Sequence, residues 1–283
     1  MERFHRTIER RFETGDEVRL DLESRNGDVL VQGRDVAEVR VVAVVDVDAE
    51  SPTDAERDFR AVEEGMRADA NRVRVVAPSS ERTTFLFFGR GLKVDYQVIV
   101  PRQTQVQLES RNGRVEIIEA GGDVTVESRN GSVRIEKIGG AARITCRNGR
   151  VDAVDCAAAV TLMTRNGNAH ASKVAGSLSA ESHNGEVSVQ DAGGSVRMRS
   201  HNGSLRYTGR VAGNLDIEVE GNGSVRLGIP ADSRFELDAE AVRGDIKSEL
   251  PVRDTSASSE PRPTVRLRTI NGSIKIEALE AVS

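Results

Sequence analysis

Six Asn-Gly pairs recur in this chain at a constant interval of eighteen residues. A constant interval of this kind indicates that one short unit has been copied and that the copies stack, with equivalent residues in contact. It also favours a function carried by a repeated surface over one carried by a single pocket. The Asn residues of these pairs, which we interpret as structural corners, are Asn112, Asn130, Asn148, Asn166, Asn184 and Asn202.

Each copy contains two short runs in which apolar and polar residues alternate. In one copy the runs are residues 124–128 and 133–135, and Asn130 and Gly131 lie between them. Alternation with a period of two is typical of β-strands, and glycine supplies the positive φ that a tight corner needs. Equivalent positions of successive copies are apolar and are predicted to face inward. One such column is Val115, Val133, Val151, Ala169, Val187 and Leu205.

The repeat predicts an all-β fold, a parallel β-solenoid (single-stranded β-helix) of 18-residue coils. In that fold the coils stack about 4.8 Å apart, and the corner Asn side chains form an amide ladder. The alternative is an antiparallel β-meander, in which each Asn-Gly pair closes a hairpin and Val126 pairs with Ile135. Equal copy lengths favour the solenoid, because a stacked coil accommodates an extra residue only as a bulge.

The spacing also predicts how the chain is organised. Residues 105–283 form the solenoid repeats, with an exposed loop at 251–263 and a last coil from 265–269 and 273–277. The period relaxes where Asn222 follows Asn202 by twenty residues. Residues 1–104 form N-terminal coils with a small helical insert at about 52–69, which begins with Ser51 as N-cap and Pro52 at N1. We expect this insert to cap the coils, and the whole chain to be one continuous domain.

Composition narrows the function classes. The formal net charge of −5 does not favour nucleic acid as a partner. The first residues show no apolar signal segment, and no apolar run reaches the roughly 20 residues of a membrane span. The two cysteines are too few for a disulfide framework. We therefore expect a cytoplasmic protein without a cofactor, and association with a surface stays open.

The copies resemble a known family. The unit Val-Thr-Val-Glu-Ser-Arg-Asn-Gly-Ser-Val-Arg-Ile at residues 124–135 looks like the bacterial β-strand-repeat family labelled "putative adhesin", a domain of unknown function. Residues 225–233, 244–246 and 271–274 are similar to that family too. The resemblance covers about residues 15–280 and implies a β-repeat fold. It implies no catalytic residues, because the family has none established.

A column of cations precedes the corner Asn residues and is the first candidate site. Stacked cations repel by roughly 1 kcal/mol per pair at about 5 Å even in water, so a bound anionic polymer or acidic partner would offset that cost. The alternative is a solvated ladder that Glu109, Glu127 and Glu181 partly neutralise. The column, which we call the Arg/His ladder, is Arg111, Arg129, Arg147, Arg165, His183 and His201.

Two further candidates have competing interpretations. His183 and His201 would be neighbours, but two histidines without other ligands make a poor metal site, so we predict none. The aromatic segment with Phe85, Phe87 and Phe88 is either a self-association surface or a cover over one end of the solenoid.

Three function hypotheses follow. The first is a non-catalytic structural or interaction module that binds itself or another protein. The second is a module that binds an anionic polymer through the Arg/His ladder. The third is a polysaccharide-active β-helix enzyme, which the scattered outward carboxylates Glu116 and Asp152 do not favour. The familiar phosphate-loop, zinc-protease and serine-hydrolase motifs are missing from the sequence, so we expect no enzyme.

Overall fold

The computed structural model describes residues 2–15, 17–78, 91–250 and 262–279. The chain divides into two compact units, Met1–Gly140 and Ala141–Ser283. The prediction of one continuous domain stays a prediction. In each unit, the strands that lead into a corner form one sheet, the leading sheet, and the strands that follow a corner form another, the trailing sheet.

The first unit contains coils, one helix and several antiparallel strands. Its trailing sheet has the order β1-β4-β7-β3-β9-β11 and its leading sheet the order β10-β8-β2-β6-β5, with these elements as follows. They are β1 (Glu2–Glu13), β2 (Arg19–Asn26), β3 (Val29–Arg34), β4 (Glu38–Ala49), α1 (Pro52–Glu64), β5 (Met66–Asp69), β6 (Arg72–Val76), β7 (Leu92–Pro101), β8 (Gln105–Asn112), β9 (Val115–Ile118), β10 (Val124–Asn130) and β11 (Val133–Ile138).

The second unit consists of stacked coils. Its trailing sheet has the order β13-β15-β17-β19-β21-β25-β23 and its leading sheet the order β22-β24-β20-β18-β16-β14-β12. The strands are β12 (Ala142–Asn148), β13 (Val151–Cys156), β14 (Val160–Asn166), β15 (Ala169–Val174), β16 (Leu178–Asn184), β17 (Val187–Ala192), β18 (Val196–Asn202), β19 (Leu205–Thr208), β20 (Leu215–Asn222), β21 (Val225–Pro230), β22 (Glu236–Arg243), β23 (Ile246–Ser248), β24 (Thr264–Asn271) and β25 (Ile274–Leu279).

Strand pairing confirms the parallel solenoid. Residues eighteen apart pair in parallel, as Val160 does with Leu178 and Ala169 does with Val187. The antiparallel meander is wrong, because Val126 pairs with Leu108 across parallel strands and not with Ile135 across a hairpin. The inward columns are almost completely buried, which leaves a narrow core between the two sheets of each unit.

The corners explain why the repeat needs its Asn-Gly pairs. The side-chain amide of Asn184 donates to Asn166 Oδ1 at 3.0 Å, and that of Asn166 donates to Asn148 Oδ1 at 2.9 Å. In the first unit Asn130 donates to Asn112 Oδ1 at 2.9 Å. Each amide is therefore both donor and acceptor, so the corner side chains form a continuous hydrogen-bonded ladder within each unit.

Two extra residues account for the longer interval between Asn202 and Asn222. Val196 pairs with Leu215, which places the extra residue of that coil in the connection between β19 and β20. A second extra residue forms a bulge between Val219 and Asn222, after which Asn222 pairs with Asn271. The solenoid thus takes up additional residues at the corners and keeps its inward columns in register.

The N-terminal part differs from prediction in two ways. The helix is shorter than 52–69, since it ends at Glu64 and Met66–Asp69 form a strand antiparallel to β6. In addition, β1 pairs antiparallel with β4, and the repeat pattern does not predict this strand. Helix α1 is capped at its N-terminus by Ser51, whose hydroxyl accepts from the Asp54 N–H at 3.2 Å. It packs against β1, β4 and β5, and its capping role stays a prediction.

The coil that comes last in the chain is not the outermost coil of the second unit. The strands β24 and β25 come last in the chain, yet they lie between the coil of β20 and β21 and the coil of β22 and β23. Leu237 therefore pairs with Val265, and Ile246 pairs with Ile274. The predicted loop at 251–263 falls almost wholly outside the described residues.

Buried hydroxyls beside the corners provide a stability test. Ser182 is 1% exposed and donates to the Gly167 carbonyl at 3.0 Å, whereas Ser128, which is also buried at 6% exposure, has no hydrogen-bond partner within the described residues. We expect Ser182→Ala to lower the free energy of unfolding by about 1 kcal/mol, because a carbonyl loses its donor. Ser128→Ala should be neutral or stabilising. Urea denaturation followed by circular dichroism checks both, and an equal loss in the two variants would contradict the expectation.

Candidate functional site

The Arg/His ladder of the second unit lies on the outer face of the leading sheet, one position before each corner Asn. Its members belong to β12, β14, β16 and β18, whose corner residues pair rung by rung. All four side chains are exposed. The imidazole rings of His183 and His201 stack with their centroids 4.8 Å apart and their planes at 2°. The fold therefore displays these side chains as a column at the spacing of the strands, about 4.8 Å.

The two arginines of this column are uncompensated. Within the described residues, no carboxylate lies within 4.0 Å of the guanidinium of Arg147 or Arg165. The residues two positions earlier on the same face are Thr145 and Met163, which carry no charge. Further along the column, His201 Nδ1 lies 3.6 Å from the Glu220 carboxylate. Positive charge is thus concentrated on the rungs of β12 and β14.

The three glutamates that the sequence offered as partners of the ladder do not form ion pairs with it in the described part of the chain. Glu109, Glu127 and Glu181 make no ion pair with a ladder cation there. In the first unit Arg111 and Arg129 occupy equivalent positions on β8 and β10, which pair in register. Arg25 precedes Asn26 on the next rung of the same unit, a position that the sequence does not reveal because it lies outside the constant interval.

A second column of cations emerges only from the topology. On the outer face of the trailing sheet in the second unit, β25 lies between β21 and β23, so Lys275 pairs with Arg226 on one side and with Lys247 on the other. Arg206 pairs with Arg226 and extends the column. Four cations therefore follow one another on successive rungs. We call Arg206, Arg226, Lys275 and Lys247 the trailing-sheet column.

The trailing-sheet column shifts the pKa of one carboxylate, that of Glu277. Lys275 Nζ lies 2.5 Å from Glu277 and 3.6 Å from Glu249. The hydrogen bond from Lys275, with smaller contributions from Arg226 and Arg206, lowers the pKa of Glu277. The same hydrogen bond raises the pKa of Lys275. The shift of Glu277 reflects the positive charge of the column, whereas the shift of Lys275 reflects the negative charge of Glu277 and Glu249.

The remaining candidates from the sequence are the histidine pair and the aromatic segment. Around His183 and His201, and elsewhere among residues 2–15, 17–78, 91–250 and 262–279, no three His, Cys, Asp or Glu side chains converge as metal ligands would. The aromatic segment with Phe85, Phe87 and Phe88 lies outside the described residues. No helix in the described ranges combines the length and apolar character that crossing a membrane requires.

The first unit has a cleft of about 600 Å³ beside its first corner, which the sequence did not indicate. Three aspartates line it, but Asp46 accepts from His5 at 2.9 Å and Asp48 lies 3.4 Å from Arg3. Two of its aspartates are therefore already paired inside the unit. The lining is Arg3, Asn26, Gly27, Asp28, Asp46, Asp48, Gly91, Leu92, Lys93, Asn112 and Gly113.

The fold and its surface define a class: a parallel β-solenoid that repeats like side chains along its outer faces. The model of the Toastrack DUF4097 family matches residues 19–277, so the chain belongs to that family, a domain of unknown function. This membership confirms the resemblance drawn from residues 124–135.

Two solved structures are similar. A putative adhesin from Bacteroides fragilis NCTC 9343 is 13% identical, with a TM-score of 0.48, over 96% of this chain and 97% of that one. A putative cell adhesion protein from Clostridium sporogenes ATCC 15579 is 8% identical, with a TM-score of 0.23, over 98% of this chain and 100% of that one. No curated protein matches the chain.

Proposed function

We propose that this protein is a non-catalytic interaction module that binds an anionic polymer, or the acidic surface of a partner, along the Arg/His ladder. The observation that carries the proposal is the pair of exposed arginines Arg147 and Arg165 on adjacent paired strands, with no carboxylate in ion-pair contact among the described residues. Like charges about 5 Å apart repel by roughly 1 kcal/mol in water. A ligand with repeated negative charge would offset this repulsion, because it attracts both arginines.

The arrangement suits a repeating ligand better than a small one. Each rung presents its cation at the same position on an exposed strand face. Backbone hydrogen bonds of the sheet and the Asn ladder hold the rungs at constant spacing. A flexible polyanion could therefore contact several rungs in succession, and weak contacts would add.

Two carboxylates of the trailing sheets support a non-catalytic role. Glu116 lies 3.9 Å from Arg134, and Asp152 lies 2.8 Å from Arg150. A glycosidase needs one carboxyl group whose pKa is raised and a second one that is poised for attack or base catalysis. Here each of the two carboxylates faces a guanidinium group instead. This pairing favours binding over the polysaccharide-cleaving alternative.

The proposal predicts which arginines matter. We expect Arg147→Ala combined with Arg165→Ala to weaken binding of fluorescein-labelled polyphosphate, or of labelled heparin, by about tenfold. The slope of log affinity against log salt should fall by about one to two between roughly 50 and 200 mM NaCl. Fluorescence anisotropy measures both. The two polymers distinguish phosphate from sulfated glycan as the preferred anion.

A matched control uses the same sheet. Arg197→Ala combined with Arg199→Ala removes the same net charge, but these arginines face Asp216 at 3.5 Å and Glu218 at 3.2 Å. Cations that already face carboxylates contribute less to a polyanion, so the control should lose less affinity. Equal losses in the two double variants would show that only net charge counts and would refute a specific ladder site. No binding of either polymer to the wild-type protein would refute the proposal itself.

A further inference from the structure

The outermost coil of the second unit, formed by β22 and β23, exposes side chains that the other coils bury. Leu237 is 45% exposed and Ile246 is 46% exposed, whereas their strand partners Val265 and Ile274 are 0% exposed. All four occupy inward columns. The difference arises because no strand of the described residues pairs with the outer edge of β22 or β23. This edge therefore presents apolar side chains together with unpaired backbone groups.

The outer face of the same sheet carries an ordered pattern of charge. In one column the successive rungs are Arg197, Asp216, Arg266 and Asp238, and the column two positions along is Arg199, Glu218, Arg268 and Glu240. Adjacent rungs form ion pairs, with Arg266 3.3 Å from Asp238 and Arg268 3.7 Å from Glu240. Charge thus alternates from strand to strand, and both columns end on a carboxylate at the outer edge.

We infer that the outer edge of β22 is a docking site for an extended segment of a partner protein with the pattern basic–apolar–basic. The segment would add a strand to the leading sheet and hydrogen-bond to the unpaired backbone of β22. Its two basic side chains would extend the alternation beyond Asp238 and Glu240. The apolar residue between them would lie beside Ala239, which pairs with Leu267 inside the sheet. This site is separate from the Arg/His ladder and does not depend on the proposed polyanion binding.

The charge pattern favours such a partner over a second copy of this chain. If two copies paired through their β22 edges, the carboxylates of Asp238 and Glu240 would face carboxylates of the other copy. Like charges on directly opposite strand residues are destabilising, and unlike charges stabilise a strand pair. Both carboxylates are more than half exposed, at 54% and 60%, so they are accessible to an incoming cation.

The strand β24 supplies the natural probe, because it already pairs with the inner edge of β22. A labelled peptide with the sequence of Thr264–Asn271 carries the two arginines at the required spacing. The control peptide replaces both arginines with glutamate. Added to the intact chain, the basic peptide is expected to bind at least about tenfold more tightly than the acidic one, as measured by fluorescence anisotropy.

Substitutions in β22 test the same contacts by changing the carboxylates instead of the peptide. Asp238→Lys combined with Glu240→Lys should reverse the preference between the two peptides. The milder Asp238→Asn with Glu240→Gln should reduce the preference several-fold and keep the shape of the strand, which circular dichroism verifies. Arg147→Ala with Arg165→Ala should leave peptide binding unchanged, which separates this inference from the ladder proposal.

Three outcomes would overturn the inference. One is failure of the basic peptide to bind the intact chain, and another is equal binding of both peptides. The third is concentration-dependent self-association, seen by light scattering, that Asp238→Asn with Glu240→Gln strengthens and the basic peptide does not reverse. That result would identify a second copy as the occupant of the edge.

Discussion

Insertion of one alanine between Ala180 and Glu181 is expected to lower the free energy of unfolding by about 5 kcal/mol or more, or to prevent folding. Strand β16 alternates inward and outward, and Ala180 and Ser182 face the core at 1% exposure each. The extra residue would turn Glu181 inward in place of Ser182. It would also displace Asn184 from the ladder, where it donates to Asn166 at 3.0 Å. A buried, unpaired carboxylate alone costs several kcal/mol.

The control insertion is placed where the chain itself varies. The segment from Leu205 to Leu215 is one residue longer than the equivalent segment from Val187 to Val196, since Val187 pairs with Leu205 while Val196 pairs with Leu215. One alanine between Gly193 and Gly194 should therefore cost less than about 2 kcal/mol, because the strands keep their faces. Chemical denaturation measures both variants. Similar losses for the two insertions would show that strand register does not dominate stability.

Replacement of Gly113 by alanine is expected to destabilise the first unit by about 3 kcal/mol or more. Gly113 has φ of +126°, and a Cβ built on it would lie 2.1 Å from the Gly27 carbonyl oxygen of the neighbouring coil. Neither group is a flexible side chain, so the corner could relieve the clash only by separating the coils. The melting temperature should fall by roughly 5–10 °C, which differential scanning calorimetry measures.

Gly15→Ala is the matched control for this corner. A Cβ at Gly15 would meet the side-chain amide of Asn71 at 3.2 Å, and that amide can move. We expect a change within about 0.5 kcal/mol. If Gly113→Ala were as mild as Gly15→Ala, the close approach of stacked corners would not be what selects glycine in the repeat.

The ladder was predictable from spacing, but its charge balance was not. Equal copies place equivalent residues on successive rungs, so the column of Arg147 and Arg165 follows from counting. Whether a glutamate two positions earlier in a neighbouring copy reaches the guanidinium depends on the direction of both side chains. Side-chain direction is set by local packing and not by the interval. The absence of ion pairs at these two arginines, within the described residues, is therefore a result of the tertiary structure.

A constant interval combined with alternation was enough to predict the inward columns and corner ladders of this protein and to favour parallel strands over an antiparallel meander. The physical reason is that stacking coils of equal length aligns like residues automatically. The three-dimensional structure was needed to reveal the antiparallel pairing of β1 with β4 and the position of the coil of β24 and β25, which lies between the coil of β20 and β21 and the coil of β22 and β23. These pairings join segments that no common period relates, so their partners are chosen by long-range packing. That choice places Lys275 between Arg226 and Lys247 and leaves the acidic edge of β22 outermost.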